Sequence, residues 1–406
     1  MEQFSPEKDI IIQVHSVKFI SMPANGQEKG ESSLNQVKIA FLIQILNSFI
    51  GGVLNIALPL LMKDRNIDVP TMGLIFASLP MIFQLTRMVF AIVSDFLGRK
   101  VFFVLNGLFS VVSGIVYYCA FTPLQFVLGK ITEGTKSGSL WAVNRAFLLE
   151  EGERKRETLV HLRTSAYVST AVGSLLAGFL IVWIFYTNTL LLCVIVGSFI
   201  IPMSLLLVSR RKGEFSLKQA LSYLDLRNKE KVFKKFLLLF FIMGLSLGFI
   251  SGYVFPFFLS KNGFDAETIG VFLGIQTLIA GLFSYMFARK IKVERLILLS
   301  GFLYSLVLLL LGFSSYMMAA FLVVMYGVVD GLLSGGQEGI LLRISKEESY
   351  GTDIGLLMMG LHGGTTVSLA ASGFLIELFG GFMVPFFLSA SIFVIFYVSA
   401  YFLLKE

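Results

Sequence analysis

Lys130, Glu133 and Lys136 stand three residues apart in an otherwise largely apolar stretch, so a helix carries the acid one turn from each lysine. Ser137, Trp141 and Asn144 continue the face of Lys130 and Glu133. A carboxylate held between ammonium groups either forms a fixed ion pair or takes a proton when its partner moves away. Arg145, Asp330, Glu338 and His362 are further ionisable groups in apolar surroundings. Gln44, Asn47, Gly51 and Asn55 share a helical face that offers hydrogen bonds to a solute or to a neighbouring helix. No Cys/His cluster has metal-ligand spacing, and no glycine-rich Walker loop is present. The expectation is therefore a non-enzymatic protein without metal or cofactor, acting on a small molecule.

The chain that positions these groups has 406 residues, of which 56% are hydrophobic and only 15% charged. Its mean hydropathy is +0.81. A soluble domain has about 25% charged residues, so a soluble enzyme, a nucleic-acid module and a disordered scaffold are excluded. The net charge of +7 reads as membrane topology, not as nucleic-acid binding. Apolar runs of about 20 residues cross a bilayer as helices. Twelve such spans are legible, near 39–62, 71–93, 101–121, 124–149, 159–185, 188–208, 234–259, 268–288, 294–314, 317–343, 353–379 and 382–404. The fourth and tenth are the most polar.

Loops after even-numbered spans carry most of the Lys and Arg, which places both termini in the cytoplasm of a multi-pass cell-membrane protein. Residues 1–35 show no secretory cleavage pattern and are expected to be a flexible cytoplasmic segment, with Met22 an alternative start. Residues 209–233 read as a basic cytoplasmic linker that also suits the anionic inner leaflet. Cys119 and Cys193 lie in separate apolar runs and imply no disulfide framework.

The chain repeats itself. A shift of 197 residues lays LPLLMKDRNIDVPTMGLI over FPFFLSKNGFDAETIGVF without a gap and places Glu133-Gly134 on Asp330-Gly331. A shift of 195 lays Gly178-Phe-Leu-Ile181 on Gly373-Phe-Leu-Ile376. The expected fold is all-α, with twelve transmembrane helices in two six-helix repeats, residues 36–208 and 234–406. Six spans return the chain to the same side, so the repeats insert in parallel about an axis along the membrane normal. Ionisable residues at span depth cost roughly 2.5–3.5 kcal/mol each on insertion scales. Arg87, Lys130, Lys136 and Arg145 outnumber Glu133 in the first half, while Asp330, Glu338 and Glu377 make the second half acidic. Ion pairs across the interface are expected.

The loop AIVSDFLGRKVFF, residues 91–103, resembles the signature of the major facilitator superfamily: Asp95, Gly98, Arg99 and Lys100 match it, while Phe96 departs from its usual basic residue. Lys130-Ile-Thr-Glu133-Gly134 resembles the family's Arg-x-x-Gln-Gly motif with two substitutions. Lys292 replaces the acid in the second copy of the loop, and span 5 lacks the Gly-Pro pair of the drug exporters, which disfavours multidrug antiport. The resemblance implies alternating access, with Asp95 helping to close the cytoplasmic side and Arg145–Glu338 as an inner-gate pair. It also implies symport or antiport of a small organic solute by a monomer in contact with lipid. The expected pathway residues are Glu133, Asp330, Lys130, Asn47, Gln44, Trp141, Asn144 and His362. The rival expectation is a transporter-like lipid-handling or receptor protein without coupled transport.

Overall fold

A computed structural model describes residues 24–151, 155–208, 226–287, 291–346 and 350–405. Among them are twelve α-helices and no strand: α1 (Ala24–Asp64), α2 (Val69–Leu97), α3 (Lys100–Tyr118), α4 (Pro123–Glu151), α5 (Lys155–Leu205), α6 (Lys231–Gly248), α7 (Val254–Lys261), α8 (Ala266–Phe287), α9 (Val293–Phe313), α10 (Tyr316–Ile344), α11 (Tyr350–Leu378) and α12 (Met383–Lys405). Among the described residues, nine helices are long and apolar enough to cross a membrane. The polar α4 is not one of them, although it packs inside the bundle between α2 and α3.

Helices and spans do not correspond one to one. In α5 the chain breaks at Phe185, whose φ of 66° and ψ of 163° are non-helical, and this separates the fifth span from the sixth. The seventh span is α6 plus α7, interrupted around Gly252, whose φ is +65°. A residue with a Cβ is strained there and would press on the Phe76 ring, so glycine is required. Gly244 and Gly248, two turns and one turn earlier, pack against α11 as expected of a small-residue stripe. Gly252 leaves that stripe to make the break. Helix α1 opens at Ala24, so the turn-rich stretch preceding residue 36 is helical backbone from that point. Residues 1–23 and most of the linker, 209–225, lie outside the described residues.

The packing repeats with the sequence. In the first half α1 packs on α5, α2 on α4, α3 on α4 and α3 on α5. Their counterparts pack likewise: α6 on α11, α8 on α10, α9 on α10 and α9 on α12. The two halves meet where α2 crosses α11 and α5 crosses α8, contacts that the repeat operation exchanges. Both crossings are built on glycine. A Cβ on Gly73 would lie 3.1 Å from the backbone of Gly373, and one on Gly178 would lie 3.0 Å from the Cα of Gly270. Gly73 and Gly270 are repeat mates, as are Gly178 and Gly373, so one close contact is used twice.

Near these crossings the same end of the bundle is tied in repeat-equivalent ways. The Asp68 carboxylate accepts from the Thr71 N–H at 3.0 Å, and Asp265 accepts from Thr268 at 2.9 Å, capping α2 and α8. The bond from the Thr71 N–H holds the Asp68 carboxyl below the ordinary 3.8, so this contribution is complete above that value and is lost as pH falls through the lowered one. Lys63 Nζ donates to Ser260 Oγ at 2.7 Å across the halves. Residues 63 and 260 are repeat mates, so their contact lies at the pseudo-two-fold axis.

Gly178→Val puts a branched side chain into the α5–α8 crossing. Overpacking of this kind costs about 1–3 kcal/mol, and the expected outcome is a clearly lower melting temperature of the purified protein. An unchanged melting temperature would show that the crossing is looser than described.

Candidate functional site

Between the halves lies a cavity of about 590 Å³, lined by α1, α2, α4, α5, α8, α10 and α11. A smaller one of about 230 Å³ lies against the broken seventh span. Irregular backbone at membrane depth is tolerated where it faces such a space. Asn55, Gln276, Thr277 and Asp330 line both cavities.

Four cations line the larger cavity, Arg87, Lys136, Arg145 and Arg163, together with three carboxylates, Glu133, Asp330 and Glu338. All four cations come from the first half, and two of the acids from the second. At the end away from the glycine crossings, Glu338 Oε1 accepts from Arg145 Nη2 at 2.8 Å and from Arg163 Nη1 at 2.5 Å. One oxygen of α10 thus ties α4 and α5 to the second half. These three side chains keep 27–28% of their surface exposed. Gln84 adds a cross-half bond of 2.9 Å from Nε2 to the carbonyl of Gly355.

The repeat-equivalent acids differ in their surroundings. Glu133 Oε2 accepts from Tyr117 Oη at 2.5 Å and from Lys130 Nζ at 2.8 Å. Lys130 also lies 4.2 Å from the centre of the Phe76 ring, so it points away from the cavity into the α2–α4 packing. Asp330 has no hydrogen bond or ion pair among the described residues. It interacts through space with Arg163 and Tyr167 of α5 and with Tyr304 and Tyr326 of its own half.

The other residues singled out in the sequence divide in the same way. Asn47 lines the cavity and accepts from Asn106 Nδ2 at 3.0 Å. Trp141 lines it too, with the Arg145 guanidinium 5.8 Å from its ring centre. His362 lines it with its ring edge-on to Phe83 at 5.0 Å, and its buried Nε2 has no partner among the described residues. Gln44 and Asn144 are fully buried and bond to one another at 2.7 Å, so these two, like Lys130, serve helix packing and do not line the cavity. Their amides reached the expected pathway because they share a helical face with residues that do line it. Glu377 is exposed at the end of α11, away from the cross-half ion pairs.

In the loop motif, Gly98 ends α2 with φ 82°, a left-handed value that favours glycine. Arg99 precedes α3, and Lys100 Nζ donates to the Leu205 carbonyl at 2.6 Å, closing the C-terminal end of α5. The Asp95 side chain lies outside the described residues.

Sequence reasoning missed Arg163 and Tyr117. Arg163 falls near the start of the fifth apolar run, and counting it among the span charges would have found it. Tyr117 gave no signal, because a tyrosine near a helix end reads equally as an interfacial residue.

Residues 40–337 match a family profile described as Major Facilitator Superfamily. No curated protein matches the chain in sequence. Among solved structures, a mutant of the nucleoside transporter NupG superposes with a TM-score of 0.76 at 13% identity, covering 90% of this chain and 99% of that one. Another NupG structure gives 0.72 at 15% identity, with 92% and 100% covered. The human organic anion transporter MFSD10 gives 0.68 at 14% identity, with 90% and 99% covered. At these identities the likeness is one of fold.

Tyr117→Phe removes the hydroxyl that supports the Glu133 carboxylate. A hydrogen bond to a charged group contributes about 1.5–3 kcal/mol, so a lower melting temperature is expected. Wild-type stability would mean that Lys130 alone satisfies Glu133.

Proposed function

The chain belongs to the Major Facilitator Superfamily, and we propose that it is a secondary active transporter carrying a small organic solute across the cell membrane by alternating access. The observation that carries this reading is the large charge-lined cavity between two parallel six-helix repeats, with all four cations on the first-half wall and two of the three acids on the second-half wall. Residues 36–208 and 234–406 are the two rocking bodies, and 209–233 tethers them on the cytoplasmic side, where both termini lie. The glycine crossings and the Lys63–Ser260 bond hold the outer end together, and the Glu338 bridge to Arg145 and Arg163 is the inner gate. Opening outward requires the first set to part; opening inward requires the second. Lys100, through its bond to the Leu205 carbonyl, braces the cytoplasmic end of the first half. The transporter works as a monomer surrounded by lipid.

Coupling to a proton or another ion supplies the energy. Of the two repeat-equivalent acids, Asp330 is the better carrier. It lines both cavities and has no fixed partner among the described residues, so a proton is its available counter-charge when Arg163 turns to Glu338. Glu133 is held by Lys130 and Tyr117 and serves structure.

The test is uptake into proteoliposomes of radiolabelled nucleosides, sugars and organic acids under an imposed pH gradient. Wild-type protein is expected to accumulate at least one of them. Asp330→Asn is expected to abolish gradient-driven accumulation while retaining exchange of that solute, and Glu133→Gln is expected to lower stability and retain coupling. Undiminished gradient-driven accumulation in Asp330→Asn would overturn proton coupling at this residue. Absence of uptake, with stabilisation by lipids alone, would replace transport with the lipid-handling reading.

A further inference from the structure

The charges of the larger cavity do not cancel one another in pairs. Glu338 is shared by Arg145 and Arg163, so one carboxylate serves two guanidinium groups. Glu133 is engaged from outside the cavity by Lys130 and Tyr117. Lys136 is 2% exposed and lines the cavity, yet its Nζ makes no hydrogen bond or ion pair among the described residues. It interacts with Glu133 through space. Arg87 also lines the cavity. The Phe83 ring is 6.0 Å from its guanidinium, and no carboxylate bonds to it among the described residues. Glu338 reaches it only through space. Beside them, His362 presents an unpartnered Nε2. Asp330, the remaining acid, interacts through space with Arg163 rather than with either of these cations.

A cation at membrane depth is costly without a counter-charge or an aqueous face, and it marks a ligand path by default. Two such cations in one cavity, retained without a bonded protein anion, call for an anion that arrives from outside. We propose that Arg87 and Lys136 form the recognition site for the negatively charged group of the transported solute, which is therefore a small organic anion carrying a carboxylate or a phosphate monoester. This assignment rests on the transport reading and adds its substrate class. Arg87 offers the planar donor fork that matches either oxyanion, and Lys136 offers a point charge from the neighbouring helix. His362 Nε2 supplies a further polar contact. Phe83 and Trp141 provide apolar walls for the rest of the molecule, within a volume typical of small-ligand sites.

The experiment measures melting temperature for the purified full chain in detergent, with probe pairs that differ in charge. The pairs are uridine 5′-monophosphate and uridine, benzoate and benzamide, and oleoyl-lysophosphatidic acid and mono-olein. Ligands that bind the folded state raise its stability as their concentration exceeds the dissociation constant. At least one anion is expected to raise the melting temperature while its neutral partner does not. The responding pair distinguishes phosphate, carboxylate and lipid headgroup as the source. Arg87→Gln and Lys136→Met are each expected to weaken that response about tenfold or more, and Arg87→Lys and Lys136→Arg to restore part of it. Lys136→Met is also expected to melt no lower than wild type without ligand, because it removes an unpaired buried charge; this variant carries the test if Arg87→Gln does not fold. The proposal is overturned if no anion acts, if neutral partners act equally, or if the response survives both charge-removing substitutions. A neutral solute that stabilises the protein and is accumulated by proteoliposomes would end this proposal and leave the transport reading intact.

Discussion

Charge at membrane depth must be balanced by protein or by water, and the interior of this molecule is arranged around that constraint. The polar and charged groups that line the cavity would be costly against lipid, so they are gathered where the two halves face each other. The lipid side is left to residues such as Leu74, Phe199 and Phe302, all exposed over half their surface or more. Arg145 and Arg163 of the first half lean on Glu338 of the second. The contact that neutralises them is thus also a contact that joins the halves. An ion pair with more than a quarter of its surface accessible can be exchanged for water at modest cost. That makes it suited to an interface that opens and closes.

On the alternating-access proposal, the repeat lets the two halves rock without the fold coming apart. Each half keeps its own internal contacts, and the repeat operation exchanges the two main cross-half crossings, α2–α11 and α5–α8. Helices that cross on glycine approach closely and present smooth backbone surfaces to one another. Chemistry enters where the symmetry fails. Positions 133 and 330 are equivalent and both acidic, but only Glu133 has a lysine and a tyrosine hydroxyl bonded to it. The same shift places Leu333 opposite Lys136 and Ser284 opposite Arg87, so the cations have no counterparts in the second half.

Much of this was legible in the sequence because it depends on pattern. Span count follows from apolar runs, parallel repeats from the constant offset at Glu133 and Asp330, and the Arg145–Glu338 contact from opposite charges in the same third of two equivalent helices. The rest depends on rotation of side chains about each helix. Gln44 and Asn47 are three residues apart on α1, yet one is sealed against Asn144 and the other reaches the cavity. Lys130 and Lys136 flank Glu133 symmetrically in sequence, but one supports it from behind and the other stands in the cavity. A helical wheel resolves faces about 100° wide, which is too coarse to separate such neighbours. The break at Gly252 was hidden for a related reason: its glycine continues the spacing of Gly244 and Gly248.

Rocking of the two halves is tested most directly by spin-label distances in a protein freed of its two native cysteines. One label pair is placed at Asp64 and Lys261 on the glycine-crossed end, the other at Leu97 and Lys292 on the opposite end. Alternating access predicts two distance populations at each end, long at one where the other is short, with Glu338→Gln shifting the balance toward separation of Leu97 from Lys292. A single distance at both ends, unchanged by Glu338→Gln, would contradict it.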